Sequence, residues 1–508
     1  MSAEAPRSPA ASVLATVFVC GAAVLVVEVV GARVLAPYYG SGLYSWSALI
    51  TVTLAALALG YAAGGRLADR YPRPSLLPVV VLLSGSLVLL VPWVAGPVLA
   101  LTSPMEPRLG VLSAALLLFL PPLALLGSIS PIAIRLSRPA EAELGSVSGL
   151  LFAVSTAGSL LAALATGFVL IPNVGVRAIL SATGALLLAL AALLVARRRP
   201  RSAVAALVVA GAIVALSSRE RRYGERLEVV YREPSFYGLV RVVDKDDLRI
   251  LTVDGIGQNY VSKSSGLGRG EGYVAFLGAL PRLAGWHGGE RALLVGLGAG
   301  DLVKRLTESG VTVDVAEIDA RIVDAARRTF GLALPDERLH VMDGRLYLRR
   351  TRQRYDLIVL DAFVAEDPPS HLLTREAFAL ARERLTPAGL LALNYTSAAG
   401  SEDAAMIAAT LRSALPNVRA VVDTSPMDLA SHVYLASPAP LRLDAARLTP
   451  EQRDDLRAYL EDEVPARPAL VLTDDYSPLA SLRRGISGRW RRVMVEFLGP
   501  DRYFWRDF

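Results

Sequence analysis

The chain has 508 residues, of which 53% are hydrophobic and 20% are charged, with a formal net charge of +6 at pH 7. This length exceeds what a single hydrophobic core usually organises, so two or more domains are expected. The single cysteine, Cys20, excludes a disulfide framework, and the four histidines lack the spacing of metal ligands. The arginines cluster at the ends of apolar segments and form no basic stripe of the kind that binds nucleic acid.

Most of the hydrophobic excess lies before residue 218, in seven apolar segments. They cover about residues 11–36, 44–65, 76–101, 109–134, 146–171, 176–196 and 202–217. Each of the first six is long enough to cross the roughly 30 Å hydrocarbon core of a bilayer as a helix. The first has no convincing signal-cleavage site, so we predict a membrane helix there. The seventh is short for a span, and we expect it to lie at the interface or to re-enter.

Arginine placement predicts how this bundle is oriented. The loops after the second, fourth and sixth segments are rich in arginine, whereas the alternate loops hold about one each. We therefore predict a multi-pass protein of the plasma (inner) membrane, with the N terminus and the soluble domain on the cytoplasmic side. Glu28, inside the first span, either faces a cavity or partner or pairs with Arg33 one turn onward. The small residues of STAGSLLAALATG (155–167) predict close helix packing.

From about residue 219 the composition changes to alternating strands and amphipathic helices. Period-two alternation over 227–261, interrupted by the turn sequences DKDD and DG, predicts a small antiparallel β unit. Further strands, beginning with 292–295, alternate with helices and predict a doubly wound parallel sheet. The predicted organisation is a transmembrane helical domain (1–218), a small β unit with a linking helix (219–283) and a Rossmann-like α/β domain (284–508).

Four predicted strands of this sheet end in residues suited to binding a ligand. The first leads into a glycine loop with Gly296, Gly298 and Gly300, and the next three end at Glu317, Asp343 and Asp361. Such glycines permit a tight turn and close approach of a cofactor to the backbone. Glu317 lies where a carboxylate binds ribose hydroxyls, and Asp343 lies where an adenine amino group could be recognised. Turn residues of these types are common, but four endings at one sheet edge predict a ligand crevice.

NAD is the alternative ligand for such a loop. No later histidine or cysteine is placed for hydride chemistry, and VMDG followed by YDLIVLDAF is more typical of a methyltransferase-type sheet. We therefore favour an adenosyl cofactor. His371, in PPSHLLTREAF, is expected to cap or pack at a helix start.

Residues 227–437 resemble the spermidine synthase (polyamine aminopropyltransferase) family. The segments that carry the resemblance are LTVDGIGQ, EGYVAFLGALPRL, AEID, MDGR and YDLIVLDAF. It implies that Asp361 and Tyr273 are catalytic. It also implies a cofactor site formed by Gln258, Gly296, Gly298, Gly300, Glu317, Asp319, Asp343 and Gly344. The substrate-binding candidates are Tyr237, Glu366, Asp367, Asp475 and Tyr476, with Asp474 of the same LTDDYSPL segment.

The N-terminal half also resembles known membrane proteins. GYAAGGRLADRYPR (60–73) is similar to a loop of major-facilitator transporters, and GARVLAPYYGSGLYSWSALI (31–50) resembles the membrane half of fused facilitator/spermidine-synthase proteins. The resemblance covers about half a transporter. Six or seven spans are fewer than the two repeated bundles of a complete facilitator, so anchoring, regulation or a lipid-phase substrate all remain open.

The chain departs from the family pattern in two loops. Where aminopropyltransferases typically read GGGDGG, with the aspartate facing the free amino end of decarboxylated S-adenosylmethionine, this chain reads GLGAGD. Ala299 stands at the aspartate's position and Asp301 follows two residues later. The gate loop, usually DSSDP, reads DAFVAEDPP. Losing that carboxylate removes repulsion against a carboxylated cofactor. Both intact S-adenosylmethionine and its decarboxylated form are therefore candidate cofactors.

These features together predict a membrane-anchored transferase that uses either form of S-adenosylmethionine, without a metal, to alkylate an amine. Aminopropyl transfer to a polyamine, with Asp361 orienting and deprotonating the amine, is the leading hypothesis. Amine methylation, cofactor cleavage and a nucleoside sensor that regulates a transport half are the alternatives. The expected partners are a small-molecule amine or polyamine and the lipid bilayer, with a possible homodimer and no nucleic acid.

Overall fold

The computed structural model describes residues 9–40, 43–137, 143–196, 211, 228–268, 272–363, 368–398, 400–424, 430–461 and 467–483. These residues fall into two compact units. One contains the described residues up to 211, and the other contains those from 228 onward.

The N-terminal unit is built from apolar helices. They are α1 (Ala11–Tyr39), α2 (Leu43–Arg70), α3 (Leu76–Thr102), α4 (Pro107–Gly127), α5 (Ile129–Ser137), α6 (Leu144–Ala165) and α7 (Val176–Ala196). A π-helical turn, Thr166–Leu170, extends α6. With α4 and α5 joined, the described residues contain six helices long and apolar enough to cross a membrane, in agreement with the first six predicted segments. Apart from residue 211, the seventh predicted segment lies outside the described residues.

Small residues allow these helices to approach closely. A side-chain carbon at Gly158 of α6 would overlap the Phe18 carbonyl of α1, and one at Gly60 of α2 would overlap the Ala124 carbonyl of α4. Helices in a bilayer gain little from the hydrophobic effect and depend on such close contact. The close packing predicted for residues 155–167 is therefore confirmed.

The C-terminal unit begins with a four-stranded antiparallel sheet. Its strands lie in the order of the sequence: β1 (Glu228–Pro234), β2 (Leu239–Lys245), β3 (Leu248–Val253) and β4 (Ile256–Ser262). Asp254 and Gly255 form the two-residue turn between β3 and β4, with φ angles of 47° and 80°. Aspartate and glycine tolerate this left-handed backbone, which suits the twist of a hairpin. The linking helix α8 (Tyr273–Ala284) follows.

A seven-stranded sheet forms the centre of this unit, in the order β10-β11-β9-β8-β5-β6-β7. Its strands are β5 (Arg291–Val295), β6 (Thr312–Glu317), β7 (Leu339–Val341), β8 (Tyr355–Leu360), β9 (Leu385–Ser397), β10 (Asn417–Thr424) and β11 (Ala430–Ser437). The helices between them include α9 (Asp301–Glu308), α10 (Ala320–Thr329), α11 (Gly344–Arg350), α12 (Arg375–Glu383) and α13 (Glu402–Ala414). Apolar side chains fill both faces of the sheet. The predicted α/β fold of methyltransferase type is confirmed.

One strand runs against the predicted direction. β5 to β9 are parallel, but β11 pairs antiparallel with both β9 and β10. The connection between Thr424 and Ala430 is too short for the helical crossover that parallel strands require, so the chain reverses. In the middle of the sheet, the strand order changes direction between β5 and β8. That switch point is where the carboxyl ends of parallel strands usually form a ligand crevice.

Candidate functional site at the carboxyl edge of the parallel strands

The glycine loop leaves β5 at this edge. Gly296, Gly298 and Gly300 have φ angles of 99°, 55° and 83°, in the region where other residues are strained. A side-chain carbon at Gly296 would overlap the Asp361 carbonyl oxygen, and one at Gly298 would overlap the Asn259 side-chain oxygen. The path of the loop into α9 therefore depends on glycine at these positions.

Asn259, which belongs to none of the motifs recognised in the sequence, holds this loop from the small β unit. Its Oδ1 accepts a hydrogen bond from the Ala299 backbone nitrogen at 3.0 Å. A bulge at the neighbouring Gln258 shifts the register of β4, so that Asn259 pairs with Leu251. Bulges of this kind re-aim side chains next to functional sites. The half-buried Gln258, predicted to contact the cofactor, thus lies beside the residue that clamps the glycine loop.

Glu317 ends β6 and is only 5% exposed. Its Oε2 accepts from the Leu297 backbone nitrogen and its Oε1 accepts from the Asp319 backbone nitrogen, each at 2.9 Å. Burial raises the pKa of Glu317 to about 7, although these hydrogen bonds favour the charged form. The carboxylate ties the glycine loop to the end of β6 and retains lone pairs for a ligand.

Asp319 joins the small β unit to the large sheet. Its Oδ1 caps α10 by accepting from the Arg321 backbone nitrogen at 2.9 Å, and its Oδ2 accepts from the Ser235 hydroxyl at 2.5 Å. Nearby, the Tyr231 hydroxyl donates to Asp324 at 3.0 Å. Two hydroxyl groups of the β unit therefore bind carboxylates of α10, one at its N-cap and one in its middle.

Tyr237 lies next to the carboxylates predicted to bind the nucleoside. Its backbone nitrogen donates to the Ser235 hydroxyl at 2.9 Å. Burial raises the pKa of Tyr237, and the charges of Asp319, Asp343 and Glu317 raise it further. The sequence predicted that Tyr237 is a substrate-binding residue. The structure places it within electrostatic range of these three carboxylates.

Asp343 follows β7 and caps α11, since its Oδ1 accepts from the Leu346 backbone nitrogen at 2.9 Å. Its Oδ2 lies 2.8 Å from His371 Nε2. His371 does not cap α12, whose N-cap is Thr374. Its ring contacts Asp343, the N-cap residue of α11, which agrees with the expectation that His371 packs at a helix start. Gly344 permits a close approach, since a side-chain carbon there would overlap Val295.

Asp361 follows β8 and is partly buried. Asn394 Nδ2 donates to Asp361 Oδ1 at 2.9 Å, and the Tyr273 hydroxyl donates to the same carboxylate. Burial raises the pKa of Asp361, and these two hydrogen bonds oppose that rise. Burial and the charge of Asp361 raise the pKa of Tyr273 well above its usual range, so the phenol stays protonated and acts as a donor.

The segment around Asp474 attaches to the same edge through Arg345. The two terminal nitrogens of Arg345 donate to the two oxygens of Asp474, at 2.7 and 2.6 Å. These hydrogen bonds lower the pKa of Asp474 to about 2. Asp475 and Tyr476, the residues predicted to bind the substrate, are exposed. Two further predicted substrate residues, Glu366 and Asp367, lie outside the described residues.

Asp301 does not take the place of the aspartate that the family has at the position of Ala299. It is 5% exposed, and its Oδ1 accepts from Arg305 Nε at 3.0 Å. Its Oδ2 accepts from the Gly268 backbone nitrogen at 3.0 Å. Both oxygens are thus engaged in holding the start of α9 to the segment around Gly268.

The glycine loop, Glu317, Asp343 and Asp361 end β5, β6, β7 and β8, which are neighbours in one sheet. The edge therefore combines a glycine turn, one buried and two partly buried carboxylates, and a protonated phenol. These features define the C-terminal unit as an α/β domain of methyltransferase-type fold, with a candidate ligand site at this edge of its sheet.

No family model matches the chain. A polyamine aminopropyltransferase of Vibrio vulnificus is 37% identical over 114 residues, which are 21% of this chain and 38% of the relative. A probable polyamine aminopropyl transferase of Bifidobacterium longum is 26% identical over 308 residues, covering 55% of this chain and 67% of the relative. The crystal structure of a probable spermidine synthase from Corynebacterium glutamicum covers 51% of this chain and 98% of its own, with 16% identity and a TM-score of 0.38.

The chain thus spans little more than a third of the Vibrio vulnificus relative's length and about two thirds of the Bifidobacterium longum relative's. The resemblance to the spermidine synthase family that the sequence motifs indicated is confirmed by these relatives.

Proposed function

We propose that this chain is a membrane-anchored transferase that binds an adenosyl sulfonium and transfers its aminopropyl group to an amine, most simply a polyamine. The observation that carries the proposal is the Asp361–Tyr273 pair, which lies at the same sheet edge as the glycine loop, Glu317 and Asp343. Several relatives are named polyamine aminopropyltransferases, which supports the same reaction. Six helices long enough to cross a bilayer support the membrane anchor.

The reaction needs an amine without its proton, aligned behind the carbon bonded to sulfur. The amine nitrogen forms a bond to that carbon while the carbon–sulfur bond breaks, and methylthioadenosine leaves with the electron pair. Asp361 accepts the proton that the amine loses, and Tyr273 donates a hydrogen bond to Asp361. Positioning supplies most of the rate, and the base contributes roughly 10²–10⁴-fold.

The other carboxylates suit the nucleoside. Glu317 and Asp343 each accept backbone N–H groups, which holds their oxygens in place at the ends of β6 and β7. We propose that Glu317, with Asp319, accepts from the ribose hydroxyls and that Asp343 faces the adenine amino group. Tyr237, which lies among these charges, then packs against the nucleoside.

A product assay with the full-length protein in detergent tests this proposal. The protein is incubated with putrescine and decarboxylated S-adenosylmethionine, and methylthioadenosine is quantified. Asp361→Asn should lower turnover by roughly 10²–10⁴-fold while methylthioadenosine still binds. Asp356→Asn is the matched control: Asp356 lies at the other end of β8, where it accepts from the Arg291 backbone and the Thr386 hydroxyl. Turnover unaffected by Asp361→Asn would remove Asp361 from the mechanism.

Methyl transfer from intact S-adenosylmethionine is the second candidate. Asp301 is committed to Arg305 and Gly268, so no described carboxylate of the glycine loop itself is free to repel the carboxylate of an intact methionyl group. One relative, an N-terminal histidine N-methyltransferase of Emericella nidulans, is 29% identical over 137 residues. In the same assay with intact cofactor, S-adenosylhomocysteine would indicate methylation.

A further inference from the structure

A series of polar side chains leads from Asp361 towards the β9–β11 end of the sheet. Asn394 of β9, only 4% exposed, donates from Nδ2 to Asp361 Oδ1 at 2.9 Å. Its own Oδ1 accepts from the Ser431 hydroxyl at 3.2 Å. The Ser431 hydroxyl also lies beside Tyr459, and the Tyr459 hydroxyl donates to Asp423 at 3.2 Å.

The chemistry of these groups fixes the orientation of the Asn394 amide. An ionised carboxylate only accepts hydrogen bonds, so the amide nitrogen must face Asp361. The amide oxygen then faces Ser431, whose hydroxyl can donate. An amide does not titrate near neutral pH, so Asn394 orients Asp361 and passes no proton to Ser431.

We propose that Asn394 is a positioning residue of this transferase: it holds one oxygen of Asp361 and stabilises the ionised carboxylate, whose remaining lone pairs take the proton of the amine. The inference rests on the proposed function, because it requires Asp361 to act on an amine. A buried carboxylate is costly unless donors compensate for its lost hydration. Among the described residues, Asn394 and Tyr273 are the two side chains that donate to Asp361.

The titratable groups around this pair are contributed by several elements. Tyr273 reaches Asp361 from α8, and the charge of Asp301 and the neighbouring phenol of Tyr459 act on Tyr273. Asp423 lies beyond Ser431 and Tyr459. Removing the Asn394 donor therefore takes away one of two direct hydrogen bonds to the carboxylate, and Asp361 then binds a proton more tightly.

Asn394→Asp tests the inference. The two side chains have similar volumes, and the substitution replaces the hydrogen-bond donor with a second carboxylate. In the full-length protein, we expect kcat/KM for the amine to fall about 10- to 100-fold at pH 7, and the acidic limb of its pH profile to move up by at least about one unit. Affinity for methylthioadenosine should not change. Asn394→Ala removes the donor without adding charge, so its shift should be smaller and in the same direction.

Asn417→Asp is the matched control on the same sheet. Asn417 of β10 donates to the Ser437 and Pro438 carbonyls at 3.3 and 3.4 Å and not to Asp361. Its substitution should therefore leave the pH profile unchanged.

The outcomes separate the inference from the proposed function. An active wild type whose pH profile is unchanged in both Asn394 variants, with nucleoside binding intact, overturns the inference alone. A wild type that releases neither methylthioadenosine nor S-adenosylhomocysteine overturns the proposed function and the inference with it. Loss of nucleoside binding in Asn394→Asp would indicate that this variant does not fold. The pH profile of Asn394→Ala then tests the inference.

Discussion

Gly298→Ala tests whether the small β unit holds the glycine loop. The φ angle of 55° at Gly298 costs an alanine roughly 1–2 kcal/mol. The new side-chain carbon would also overlap Asn259 Oδ1, the acceptor of the Ala299 backbone nitrogen. If Asn259 moves away, that nitrogen loses its partner, which costs about 1–3 kcal/mol more.

The expected result is a nucleoside affinity at least about tenfold weaker, since 1.4 kcal/mol corresponds to a factor of ten. Isothermal titration of the full-length protein with methylthioadenosine measures it. Gly289→Ala is the control, because Gly289 also has a positive φ, 97°, but a side-chain carbon there meets no atom within 4 Å. Gly298→Ala combined with Asn259→Ala should bind no more weakly than Gly298→Ala alone, because both substitutions remove the same contact. Equal affinities for the Gly298 and Gly289 variants would refute the reasoning.

Two further predictions concern stability. Because burial raises the pKa of Glu317 from 4.5 to about 7, the folded protein binds this proton more tightly than the unfolded chain. The contribution of Glu317 to the free energy of unfolding is thus fully present below about pH 4.5 and falls by roughly 3 kcal/mol as the pH rises through 7. Thermal unfolding at several pH values should show this loss in the wild type and not in Glu317→Gln. Arg345→Ala removes the bidentate contact with Asp474, and hydrogen exchange of residues 472–476 should become faster by an amount equivalent to about 1 kcal/mol, because solvent screens the exposed Asp474 carboxylate. Arg457→Ala, which breaks an exposed ion pair with Asp454, should change stability by less than about 1 kcal/mol. Unchanged exchange at 472–476 in Arg345→Ala would show that other contacts hold the segment.

The parts of the fold predicted correctly depend on local signals. The length and hydropathy of the apolar segments predicted the six membrane helices. Apolar strands followed by glycine or a carboxylate predicted the four strand ends. The direction of β11 depends on the length of one connection, which the sequence pattern alone did not define. The contacts of Asp301 with Arg305, four residues later, could have been inferred from helical spacing.

Asn259 and Asn394 could not be found in the same way. Each acts on a residue at least 33 positions away in the sequence, so the contact exists only once the sheets have formed. The local signal for Asn394 is a single polar residue within the apolar strand GLLALNYTS. Buried polar side chains nearly always have hydrogen-bond partners, but the sequence does not name the partner.

The hydrogen-bond partners of the three carboxylates at the strand ends distinguish their roles. Glu317 and Asp343 accept from backbone N–H groups, so their oxygens belong to the scaffold, and a substitution there should weaken nucleoside binding or stability. Asp361 accepts from the side chains of Asn394 and Tyr273, and its side chain can exchange a proton without disturbing a backbone hydrogen bond. Turnover should therefore depend on Asp361 more than binding does, and the reverse should hold for the other two.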